Sequence, residues 1–124
     1  NAFQDALRGK GIESDYIDSW YDFEVLGQKI EVKTCQLSIK DPKWKNNGFM
    51  RPGRFDFRNK ENRERQFEED IWVVFVLRHF EDYFMLGFLK ARVFEKKRSI
   101  SISSLRSLGL VSFDEWIRRF RQNV

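Results

Sequence analysis

The chain has 124 residues, of which 41% are hydrophobic and 34% are charged, and its formal net charge is +4. This composition is typical of one globular domain and excludes a disordered tail. A single cysteine, Cys35, excludes an intrachain disulfide and a cysteine-based zinc site. A single histidine, His79, excludes metal sites and acid–base catalysis that need a pair of histidines. The longest apolar run, at 71–77, is too short for a membrane-spanning helix.

The first half of the chain predicts a helix, a β-hairpin and a long loop. Residues 2–9 have an amphipathic pattern that two glycines terminate, so a short helix is expected there. Residues 21–25 and 29–35 alternate apolar and polar side chains around Gly27, as the two strands of a hairpin do. Residues 37–58 contain both prolines of the chain, which predicts a long irregular excursion.

The second half predicts further helix and a second hairpin. Residues 59–69 are polar and could form a short exposed helix. The continuous apolar run at 71–77 is typical of a central strand that is buried on both faces. Residues 84–89 follow a short polar turn and complete a hairpin, and residues 90–97 could be helical.

The chain ends in a predicted amphipathic helix. Ser112 and Glu115 form a capping box that opens a helix through about Gln122. The elements together predict an α/β or mixed α+β fold, in which helices flank a central mixed β-sheet. We expect a single domain over residues 1–124.

The first hairpin carries the residues of chemical interest. A two-residue turn that begins at Gly27 would place Glu24 opposite Glu31. The same turn would place Asp22 opposite Lys33. A turn of Leu26 and Gly27 is the alternative, and it would shift these partners but keep the same side chains on each face. Because strand side chains alternate between faces, these four polar residues share one face of the hairpin. The other face is apolar and consists of Phe23, Val25, Ile30 and Val32.

The polar face crowds like charges. Two carboxylates about 5 Å apart across a strand pair repel by about 3 kcal/mol at an effective dielectric constant near 20. Lys33 relieves part of this repulsion, and Mg²⁺ would relieve more, because it prefers hard oxygen ligands. Bound Mg²⁺ would polarise a phosphoryl oxygen and lower the pKa of an attacking water. The alternative is a surface hairpin with an ordinary ladder of salt bridges.

A basic stretch follows the hairpin directly. Between Lys40 and Arg65 the chain has nine cations and four carboxylates, with aromatic residues interleaved. That pattern suits a polyanion such as nucleic acid, and a solvated loop is the alternative. The residues expected to contact phosphates are Lys43, Lys45, Arg51, Arg54 and Arg58.

The hairpin resembles the PD-(D/E)XK nuclease superfamily, which has the restriction-endonuclease-like fold. The resemblance rests on Asp22, on the tripeptide Glu31-Val32-Lys33, and on the hairpin turn between them. It extends to the order of elements, namely helix, hairpin, helical region and buried strand. The resemblance implies that Asp22 and Glu31 bind Mg²⁺, for which Mn²⁺ can substitute, together with the carbonyl of Val32. It also implies that Lys33 assists the hydrolytic water.

The chain departs from the family pattern at two points. The proline that precedes the aspartate in the family is Tyr21 here. Many members also carry a glutamate on the first helix, where this chain offers Gln4 and Asp5, although Glu24 could substitute. The chain begins at Asn1 rather than Met, so we expect a fragment or a processed chain, and the missing glutamate could precede it.

The expected function is a Mg²⁺-dependent nuclease that hydrolyses phosphodiester bonds, with a DNA endonuclease favoured. The alternatives are a non-catalytic nucleic-acid-binding module on the same fold and a protein-interaction domain with a basic surface. The expected partner is nucleic acid, with DNA favoured over RNA, and no membrane. The aromatic-rich strand at 84–89 could form the edge of a homodimer. Because lone cysteines are typical of reducing compartments, a cytoplasmic location is expected.

Overall fold

The computed structural model describes residues 1–37, 52–57 and 60–122. In chain order the strands of this part are β1 (Asp15–Tyr16), β2 (Phe23–Val25), β3 (Gln28–Gln36), β4 (Arg54–Asp56), β5 (Trp72–His79), β6 (Asp82–Lys90) and β7 (Ser99–Ser101). The helices are α1 (Ala2–Gly9), α2 (Lys60–Glu69), α3 (Ile102–Ser107) and α4 (Phe113–Arg121), with a 3₁₀ turn at Ala91–Phe94. No helix in this part of the chain is long and apolar enough to cross a membrane.

A five-stranded mixed sheet forms the centre of the fold, in the order β1-β2-β3-β5-β6. Strands β3 and β5 are parallel, whereas the other neighbours in the sheet are antiparallel. Strands β4 and β7 form a separate two-stranded antiparallel sheet. The fold is therefore mixed α+β with a central mixed sheet flanked by helices, as the sequence predicts.

The apolar run predicted as a central strand is β5, which lies between β3 and β6. Its residues from Trp72 to Arg78 are buried, so this prediction is confirmed. Parallel strands cannot be joined by a tight turn, and the connection from β3 to β5 includes β4 and α2. That connection places α2 and β4 over one face of the sheet.

The two faces of the central sheet have different covers. On one face α1 and α4 bury an apolar cluster that includes Phe3, Phe88 and Trp116. On the other face α2, β4 and the 3₁₀ turn pack on Cys35, on Phe75 and on neighbouring apolar residues. We call these the α1/α4 face and the α2/β4 face. Because side chains alternate along a strand, β3 contributes to both.

The predicted N-terminal and C-terminal helices are confirmed. Asn1 caps α1, and its Oδ1 atom accepts a hydrogen bond from the Phe3 N–H at 2.8 Å. Ser112 caps α4, and its Oγ atom accepts from the Glu115 N–H at 3.1 Å. Local capping signals therefore fix where both helices begin.

The turn of the first hairpin is the alternative one of the two that the sequence allows. Its central residues are Leu26 and Gly27, which both have positive φ angles of 50° and 77°, as a type I′ turn requires. Strand β2 consequently pairs Glu24 with Lys29, so the predicted pairing of Glu24 with Glu31 is wrong. Because the register differs by two residues, the sorting of side chains between the two faces is unchanged.

Two other predictions are wrong in part. The irregular excursion predicted over 37–58 is described only at 37 and 52–57, and the rest of it lies outside the described residues. Its described part contains strand β4, in which Phe55 is buried, and Phe57 directly after this strand is buried as well. The helix that 90–97 could form is limited to the 3₁₀ turn, because only Ala91 and Phe94 of that turn are buried against the core. In both places long-range packing determines the local conformation.

Candidate active site

Asp22 lies where β2 begins, beside strand β3. Its main-chain N–H donates to the Ile30 carbonyl at 3.0 Å, and its Oδ2 atom accepts from the Val32 N–H at 2.8 Å. The Asp22 side chain therefore supplies an acceptor for the main-chain N–H of Val32, which has no main-chain partner on the β2 side. The prediction that Asp22 faces Lys33 across the hairpin is wrong, because the observed turn shifts the register of β2 and β3 by two residues; the Asp22 carboxyl accepts from the Val32 N–H instead.

Glu31 directs its carboxyl group to the α2/β4 face. The Asp22 carboxyl and the Gln66 side chain are its polar neighbours, and only 16% of the side chain is exposed. Burial, followed by the neighbouring Asp22 carboxylate, raises the pKa of Glu31 to about 8. The two carboxyl groups are therefore adjacent, and burial favours the protonated form of Glu31.

Lys33 supplies the positive charge of the site. Its Nζ atom lies 3.8 Å from Oε2 of Glu31 and 5.4 Å from the centre of the Phe57 ring. The ammonium group favours the ionised form of Glu31 and opposes part of its pKa shift. The structure thus brings together Asp22, Glu31 and Lys33.

Helix α2 and strand β4 cover the polar side of β3. Glu31 and Lys33 line a small cavity with Phe57, Gln66 and Phe67. The cavity has a volume of about 10 Å³, which is about enough for one water molecule. The hairpin therefore does not present the exposed ladder of salt bridges that was the alternative prediction.

Sequence reasoning misses Gln66, which belongs to this cluster. Its side chain is buried, its Nε2 atom donates to the Trp20 carbonyl at 2.7 Å, and it lines the same small cavity as Glu31. Gln66 thereby connects α2 both to the segment before β2 and to the carboxyl pair. The polar sequence of α2 has no apolar period that would identify its buried face.

The other acidic residues near the hairpin have different partners. Glu24 accepts a hydrogen bond from the Tyr21 hydroxyl at 2.6 Å, and this bond raises the pKa of Tyr21 to about 12. Asp5 is exposed and pairs with Arg8 on a helix that covers the opposite face. Among the described residues, no group of three or more His, Cys, Asp or Glu side chains converges as a metal site.

Most of the predicted phosphate contacts lie outside the described residues, namely Lys43, Lys45, Arg51 and Arg58. Arg54 lies on β4, and its Nε and Nη2 atoms donate to Oγ of Ser99 at 3.2 and 3.0 Å. This contact connects β4 to β7. Leu37 is the last described residue before residue 52. It follows Glu31 by six residues, which is about 20 Å along an extended strand.

Comparison of the chain with protein-family models, with curated proteins and with solved structures finds no match. The site is therefore interpreted from its own geometry. Two adjacent carboxyl groups with a lysine 3.8 Å from one of them can bind a hard cation, and the lysine can stabilise developing negative charge.

Proposed function

We propose that the protein is a Mg²⁺-dependent nuclease with a restriction-endonuclease-like fold that hydrolyses phosphodiester bonds, with DNA as the substrate. The proposal rests on one observation: the carboxyl groups of Asp22 and Glu31 are neighbours next to the Lys33 ammonium group. The order of elements supports it, since α1, the β2–β3 hairpin, α2 and β5 follow one another as the resemblance implies.

The donor set fits a magnesium ion. Mg²⁺ in proteins is usually held by one or two carboxylates together with water and substrate phosphate. Glu31 and the Oδ1 atom of Asp22 would be its ligands, since Oδ2 is engaged by the Val32 N–H, and the Val32 carbonyl would be a further ligand. When bound, Mg²⁺ supplies polarisation of the phosphoryl oxygen and a lower pKa for a coordinated water.

The remaining roles belong to side chains of the chain itself. Lys33 would orient the attacking water and stabilise the negative charge that develops on the phosphoryl group as the leaving oxygen departs. Gln66 would support Glu31 by packing beside it in the cavity that both residues line. This cavity, of about 10 Å³, is too small for a phosphate, and Asp22 is not among its lining residues. The substrate phosphate would therefore approach from the Asp22 side.

Cleavage assays test this proposal directly. Plasmid DNA and structured oligonucleotides would be incubated with Mg²⁺ or with EDTA, and Lys33→Ala would be compared with wild type. We expect cleavage only with Mg²⁺, and a loss of about 100-fold or more in the variant. Lys29→Ala is the matched control, because Lys29 lies on the same strand but pairs with Glu69. Equal activity of wild type and Lys33→Ala would refute the proposal.

A second candidate function is a nucleic-acid-binding module without catalysis. It is favoured by the small cavity and by the hydrogen bond from Val32 to Asp22, which gives this carboxylate a structural role. This candidate predicts salt-dependent binding that needs no metal. Binding in EDTA together with no cleavage of any substrate in Mg²⁺ or Mn²⁺ would select it.

A further inference from the structure

Three consecutive cations, Lys96, Lys97 and Arg98, follow the 3₁₀ turn and lead into β7. We call this segment the basic run. All three side chains are exposed. The tripeptide Glu95-Lys96-Lys97 has the same carboxylate-x-lysine spacing as Glu31-Val32-Lys33. The sequence assigns it no chemical role, because it lies in a charged stretch without a partner strand. The structure places this stretch on the α2/β4 face, which also carries the candidate site.

The basic run is joined to the wall of the site through Phe57. The Phe57 N–H donates to the Arg98 carbonyl at 2.8 Å, and the Phe57 ring stacks on Phe94 with 4.5 Å between centroids. The Lys33 ammonium group also lies over the Phe57 ring, 5.4 Å from its centre. One aromatic residue therefore separates the main chain of the basic run from the site lysine.

A second connection runs through Arg63 of α2. Its Nη2 atom donates to the carbonyls of Glu95 and Lys97 at 2.7 and 2.9 Å. Arg63 also lines the cavity that contains Glu31 and Lys33. Because these contacts use main-chain carbonyls, they fix the position of the basic run and leave its side chains available.

The basic run has no acidic partner among the described residues. Several other cations there are paired with carboxylates, as in Lys29 with Glu69, Arg65 with Glu69, Lys10 with Asp114, and Arg118 with Glu115. No salt bridge within the described residues involves the basic run. Its three charges are therefore concentrated and uncompensated, apart from the adjacent Glu95.

We propose that Lys96, Lys97 and Arg98 form a contact surface for the phosphate backbone of nucleic acid, beside the candidate site. Exposed cations that neutralise phosphates release condensed counterions, which makes polyanion binding favourable and salt-dependent. The choice of nucleic acid as the occupant rests on the proposed function. The surface itself rests on charge and position, so binding can be measured without catalysis.

The test compares two triple variants that remove the same charge. Lys96→Ala/Lys97→Ala/Arg98→Ala removes the basic run, and Arg118→Ala/Arg119→Ala/Arg121→Ala removes three cations of α4, on the opposite face of the sheet. Binding of labelled DNA duplex, RNA duplex and single strands would be measured by fluorescence anisotropy in EDTA across a salt series. Thermal denaturation of each variant would establish that it folds.

We expect the first variant to lose about tenfold or more in affinity and to lower the slope of log affinity against log salt by about 2 to 3 for B-DNA. The α4 variant should change affinity by less than about threefold, and Lys96→Arg/Lys97→Arg/Arg98→Lys should retain binding. The three substrate arms distinguish DNA from RNA as the source of the phosphates.

Two results would overturn this inference: no binding of any substrate by wild type at low salt, or the same loss in both alanine variants. If the first variant fails to fold, the charge-preserving variant provides the test. It has to bind with the same salt slope as wild type, and a different slope would overturn the inference. Failure of the nuclease proposal has a different signature. Binding that depends on the basic run, without cleavage in Mg²⁺, would remove the catalytic proposal and leave the surface in place.

Discussion

The two faces of the central sheet show how one strand contributes both to the core and to a site. Strand β3 places Ile30 in the apolar cluster under α1 and α4 and places Glu31 and Lys33 under α2 and β4. The first face gains stability from burial, since each large apolar side chain removed from water contributes favourably. On the second face, burial works against an ionised carboxylate. We therefore expect stability to fall when a large apolar side chain is removed from the first face, and to rise when the buried charge of Glu31 is removed from the second.

The largest expected effect is on the α1/α4 face. Trp116 is fully buried and stacks on Phe88 with 4.5 Å between ring centroids. Trp116→Ala should lower the free energy of unfolding by about 3–5 kcal/mol, because it removes a large apolar surface and leaves a cavity. Urea denaturation would measure the change. A loss below about 1 kcal/mol would contradict the assignment of this residue to the core.

The pH dependence of stability should report the α2/β4 face. Glu31 titrates at 4.5 when unfolded, and its pKa is raised to about 8 in the folded protein. Between these values the folded state binds more protons, so stability should fall as pH rises from about 4.5 to about 8. The slope should approach about 1.4 kcal/mol per pH unit.

Glu31→Gln should flatten this dependence and be more stable than wild type at pH 8, since the amide carries no charge to bury. Glu68→Gln, at an exposed position of α2, is the control and should retain the wild-type slope. Denaturant titrations at several pH values would provide the comparison. An identical pH slope in wild type and Glu31→Gln would show that Glu31 is not the buried titrating group.

A smaller effect is expected at Gln66. Gln66→Ala should cost about 1–3 kcal/mol, because it leaves the Trp20 carbonyl without its hydrogen-bond partner and removes a buried polar neighbour of Glu31. Glu68→Ala, two positions along the same helix and exposed, should change stability by less than about 0.5 kcal/mol. Equal effects of the two substitutions in urea denaturation would remove Gln66 from the cluster.

The smallest effect concerns the start of α4. Ser112→Ala should cost about 1 kcal/mol, because the Glu115 N–H loses its acceptor. Ser112→Asp supplies an equivalent acceptor and should retain wild-type stability. A melting temperature that is unchanged in the alanine variant would contradict the capping role.

The parts of the fold that sequence predicts well have strong local signals. The apolar run of β5 and the capping box of α4 each determine their element within a few residues. The β2–β3 register is less accessible, because it depends on Leu26 adopting a positive φ angle, which a branched side chain disfavours. Strands β4 and β7 are three residues each and pair across a long separation in sequence, so no local pattern marks them.

The candidate site was predictable in its members but not in its surroundings. Alternation along β3 places Glu31 and Lys33 on one side under either turn, so their proximity follows from sequence. Asp22 was expected to pair with Lys33. Its carboxyl group instead accepts a hydrogen bond from the Val32 N–H and lies beside Glu31. The cover by α2 depends on Gln66, a polar residue in a polar helix, and only the tertiary structure shows that it is buried.

The central claim is that Asp22 and Glu31 together hold a hard cation, and calorimetric titration with Mg²⁺ or Mn²⁺ tests it most directly. The account predicts a saturable heat for wild type that is lost in Asp22→Asn and in Glu31→Gln. Glu24→Gln should retain it, because Glu24 bonds to Tyr21 instead. No heat from wild type with either metal, or the same heat from wild type and Asp22→Asn, would contradict the account.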